Sequence, residues 1–176
     1  VEENTARGDE ALKKVLSGAN VRAMMQMHRS EVSADGVFVR VHSAVVLAAV
    51  EDWNEQDVLK TVQASIAPGL TSNRLGAEWR MIGSGVQSYF EMDGLNTIAV
   101  AIRGKMLIAA TDGATLSAVL ARMGEKSQME PATYIAGFRH GAERGTFYRL
   151  TSVLDRGGAS QYGRSDSEPQ FFSQNI

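Results

Sequence analysis

NTIAVAIRGKMLIAATDGATLSAVLARM, residues Asn96–Met123, decides the fold. An apolar run, Thr97–Ile102, meets the turn signal Arg103-Gly104. A second apolar run, Met106–Ala110, meets Asp112-Gly113 and then an amphipathic segment. A connection this short joins antiparallel strands, because parallel neighbours need a long crossover. The amphipathic segment is a helix: Leu116, Val119, Leu120 and Met123 fall at i, i+3, i+4 and i+7. Asp112 caps it and Gly124 ends it.

Upstream, Gly83-Ser84-Gly85 separates Ala77–Ile82 from Val86–Met92, and Asp93-Gly94 separates that run from Thr97–Ile102. Four short runs with tight connections read as a meander. Val37, Val39 and Val41 alternate with Phe38, Arg40 and His42, as a strand does. Ala44–Val50 continues the run without a polar side, so this part is expected to be buried on both faces. Asp52 and Asn54 offer caps for a helix from about Glu55 to Ala67, with Val58, Leu59, Val62 and Ile66 on one face. Asp9–Leu16 reads as a short helix.

Asn20–Val32 admits two readings. Val21, Ala23, Met25 and Met27 alternate with Arg22, Gln26 and His28, as in a strand, but Met24 interrupts the alternation. Asn20 could instead cap a helix rich in Met, Ala and Gln, and helix is the reading preferred. Thr133–Phe138 reads as a strand and Gly145–Leu154 as a helix. Asp155–Gln170 lacks apolar anchors and reads as a loop. Leu47-Ala48-Ala49 stands to Asp52 as Leu107-Ile108-Ala109 stands to Asp112. The echo fits either a duplicated β-β-α unit or the generic grammar of a strand entering a helix.

The expected class is α+β: an antiparallel meander sheet of about five or six strands with helices mainly on one face. Residues 1–156 form the expected domain, and 157–176 a linker or loop leading to a truncated C-terminal segment. A chain of 176 residues suits one domain, or two small subdomains sharing a core.

Composition narrows the function. The net charge of −2 argues against a general nucleic-acid binder, which carries a basic stripe. Absence of cysteine removes disulfides, thiol catalysis and cysteine metal sites. His28, His42 and His140 are too scattered for a histidine zinc site. No cofactor or metal is expected, and no apolar stretch is long enough to span a bilayer. The aromatic residues Trp53, Trp79, Tyr89 and Phe90 read as core rather than as a ligand platform. Glu51, Asp52, Glu55 and Asp57 read as helix-start acids rather than cation ligands. Met24, Met25 and Met27 read as a helix core stripe, or else an adaptable partner-binding face.

One segment carries reactive residue types. Phe138-Arg139-His140-Gly141 follows the expected strand, with Glu143 and Arg144 close behind. Arg139-His140-Gly141 resembles the signature of the histidine phosphatase superfamily. The resemblance implies a phosphoryl-accepting His140 and a phosphate-binding Arg139, with Glu143 as acid and Arg144 as a second clamp. In that family the motif opens the first strand of a large α/β domain and a second His follows far downstream. Here no histidine follows His140. The other reading is a strand end turning into a helix through charged residues.

A second resemblance rests on Ile98–Ile102, Gly104, Met106–Ala110 and Asp112 with its helix, and on Pro169–Ile176. These are similar to segments of uncharacterised bacterial envelope proteins that carry extracytoplasmic α+β domains behind a membrane anchor. The resemblance implies an exported, non-catalytic domain excised from a larger chain. Its partner would be another protein or other parts of the same full-length chain. Two further functions stay open: a phosphate-ester hydrolase at His140, and a small-ligand domain closed by Gly157–Gln170.

Overall fold

The computed structural model describes residues 2–34, 37–70, 78–92, 97–125 and 132–162. The elements run α1 (Glu2–Gly18), β1 (Val21–Val32), β2 (Val39–Ala49), α2 (Glu55–Leu70), β3 (Trp79–Ile82), β4 (Tyr89–Met92), β5 (Ile98–Arg103), β6 (Met106–Ala110), α3 (Gly113–Arg122) and α4 (His140–Tyr162). One six-stranded sheet has the order β1-β2-β6-β5-β4-β3. The pairings β3–β4, β4–β5, β5–β6 and β2–β6 are antiparallel. The α+β class and the meander are as the turn signals require. Gly104 takes φ 55° between β5 and β6, a left-handed turn position that suits glycine.

The described residues fall into two compact units. One lies within Val1–Met27 and Ser43–Lys126, the other within His28–His42 and Ser127–Ile176. The span 1–156, read from sequence as one domain, covers parts of both.

In the first unit the central strands are apolar on both sides because both sides are covered. Leu47, Ala49, Val100, Ile102, Leu107 and Ala109 pack with Val58 and Val62 of α2 and with Leu12, Val15 and Leu16 of α1. The intervening residues Ala44, Val46, Ala99, Ala101, Ile108 and Ala110 pack with Leu116, Val119 and Leu120 of α3. Side chains alternate across a strand, so these are opposite faces of the sheet. Most of the helical cover lies on the face of α1 and α2, and α3 covers the other.

Asp112 caps α3 as its position implies. Its carboxylate accepts from the Thr115 backbone N–H at 2.7 Å and from the Thr115 hydroxyl at 2.9 Å. Asn54 does the same for α2, accepting from the Asp57 backbone N–H at 3.1 Å. Asp112→Ala is expected to cost about 1 kcal/mol and to lower Tm by roughly 3 °C, measurable by circular dichroism.

Leu47 pairs directly with Leu107, so the two echoed segments meet on adjacent antiparallel strands. A duplication about a two-fold axis normal to the sheet would put α2 and α3 on the same face. They lie on opposite faces, so the echo reflects strand-to-helix grammar at this level of structure. The first echo is also a single strand, β2, rather than a hairpin.

Three sequence readings are corrected. Asn20–Val32 is not a helix. Asn20 adopts φ 50° in the turn after α1, and the chain then extends as β1. Thr133–Phe138 forms no strand; it is irregular and exposed. The helix expected over Gly145–Leu154 starts earlier, at His140, and runs on through residues read as a loop, to Tyr162. Once nucleated, a helix gains one hydrogen bond per added residue, which offsets the poor propensity of Gly157 and Gly158. The remainder of the expected linker, 163–176, lies outside the described residues, as does Pro169–Ile176.

Candidate functional site

The Arg139–Arg144 segment is the first turn of α4. The Arg139 carbonyl accepts from the N–H groups of Ala142 at 3.0 Å and Glu143 at 3.1 Å, so Arg139 occupies the helix-start position. His140 is exposed, and its ring meets Phe138 edge-on with centroids 6.4 Å apart. Arg139 and Arg144 are exposed, and Arg144 lies one helical turn beyond His140.

Glu143 has a structural partner. Its carboxylate accepts from the Ser30 hydroxyl of β1 at 2.5 Å. Two turns further along α4, Arg149 donates to the Val32 carbonyl at 3.0 Å. These contacts tie α4 to the end of β1 within the second unit. In the same unit, His42 Nε2 lies 3.2 Å from a Glu31 carboxylate oxygen, within hydrogen-bonding distance.

The chemistry this arrangement supports is limited. A histidine that accepts a phosphoryl group needs converging cationic donors in a site that excludes water. The first turn of α4 places His140 in solvent, with Glu143 turned to Ser30. Among the described residues, no group of three His, Cys, Asp or Glu could hold a metal ion.

The other candidates have structural partners. Trp53 is buried; its indole N–H donates to the Lys105 carbonyl and its backbone N–H to the Gly104 carbonyl, both at 3.0 Å. The indole N–H of Trp79 donates to the Leu59 carbonyl at 2.9 Å. Both rings therefore belong to the core of the first unit. Arg103, a turn residue by sequence, reaches the carbonyls of Val86 and Ser88 with its guanidinium and holds the loop before β4. Nothing in the local sequence marks that contact, because its partners are main-chain atoms fifteen or so residues away. Met24, Met25 and Met27 are exposed on β1 rather than packed on a helix.

Comparison with family models, curated proteins and solved structures finds no match. Among the described residues, no helix is long and apolar enough to cross a membrane.

Proposed function

We propose that this chain is a non-catalytic interaction or assembly domain of a larger bacterial envelope protein. The observation that carries the reading is the uneven placement of apolar side chains. Among the described residues, the buried hydrophobic clusters lie in the first unit. In the second unit, among described residues, Val32 is the buried hydrophobic, while Val37, Phe38, Val39, Val41, Tyr134, Ile135, Phe138 and Phe147 are exposed. Phe38 is 72% exposed and Tyr134 84%.

Scattered apolar surface is ordinary, but large apolar side chains gathered in one unit are what a contact surface offers. Burying it against another polypeptide removes apolar area from water, which is the main driving term of association. The polar contacts Ser30–Glu143 and Arg149–Val32 hold α4, which carries Phe147, against the end of β1. The envelope setting rests on the sequence resemblance of the hairpin–helix block.

The experiment is site-specific photo-crosslinking from Phe38 and Phe147 in the full-length protein in its own cells. Covalent adducts to protein, within the parent chain or to a neighbour, are the expected outcome.

A further inference from the structure

We draw no further inference here: the strongest candidate, the side-chain cluster of Tyr89 and Glu91 of β4 set against Gly113 at the start of α3, rests on a helix N-terminus, and no second observation among the described residues points to a ligand there.

Discussion

Trp53→Ala is expected to destabilise the first unit by about 3–5 kcal/mol, the range for removing a large buried aromatic side chain. Trp53 sits at the junction of β2 and α2 and holds the β5–β6 turn through two hydrogen bonds, to the carbonyls of Gly104 and Lys105. Its ring packs in the cluster that joins Ala49, Val58, Val100 and Leu107. Truncation opens a cavity there and leaves the Lys105 carbonyl without the indole donor. Trp53→Phe separates the two effects. It keeps most of the packing and loses the donor, so a cost nearer 1 kcal/mol is expected. Urea titration reads both as a lower midpoint with an unchanged slope.

Leu116→Ala is expected to cost about 2–5 kcal/mol. Leu116 is fully buried in α3 and packs in the cluster with Ala44, Ala99, Ile108 and Ala110 on the opposite sheet face. Those sheet residues are mostly small, so α3 approaches closely and the cavity has few long neighbours to fill it. Leu116→Met, which conserves volume, is expected to cost less than about 1.5 kcal/mol. A small effect from Leu116→Ala beside a large one from Trp53→Ala would mean that the sheet is covered on one face only.

The parts of the fold that sequence made legible are those where one residue pattern admits one structure. Arg103-Gly104 and Asp112-Gly113 fix a turn and a helix start, and Ala44–Val50 has no polar side because both faces are covered. β1 was obscure for a physical reason. Its residues 21–29 are exposed, so no burial imposes the alternation by which a strand is recognised. Thr133–Phe138 misled in the opposite direction: strand-like residues stand in an irregular exposed segment, because tertiary context decides pairing. At α4, Arg139-His140-Gly141 is a local pattern, whereas the contacts that define its surroundings come from afar. Ser30 reaches Glu143 across 113 residues, and Val32 meets Arg149 across 117. A single sequence carries no mark of such pairs, since serine and arginine on an exposed element are ordinary.

The most direct test of the central claim is photo-crosslinking from Phe38 and Phe147 in the full-length protein, with exposed Lys60 of α2 as control. An apolar contact surface predicts strong protein adducts from Phe38 and Phe147 and weak ones from Lys60. Adduct yields at Phe38 and Phe147 no higher than at Lys60 would contradict it.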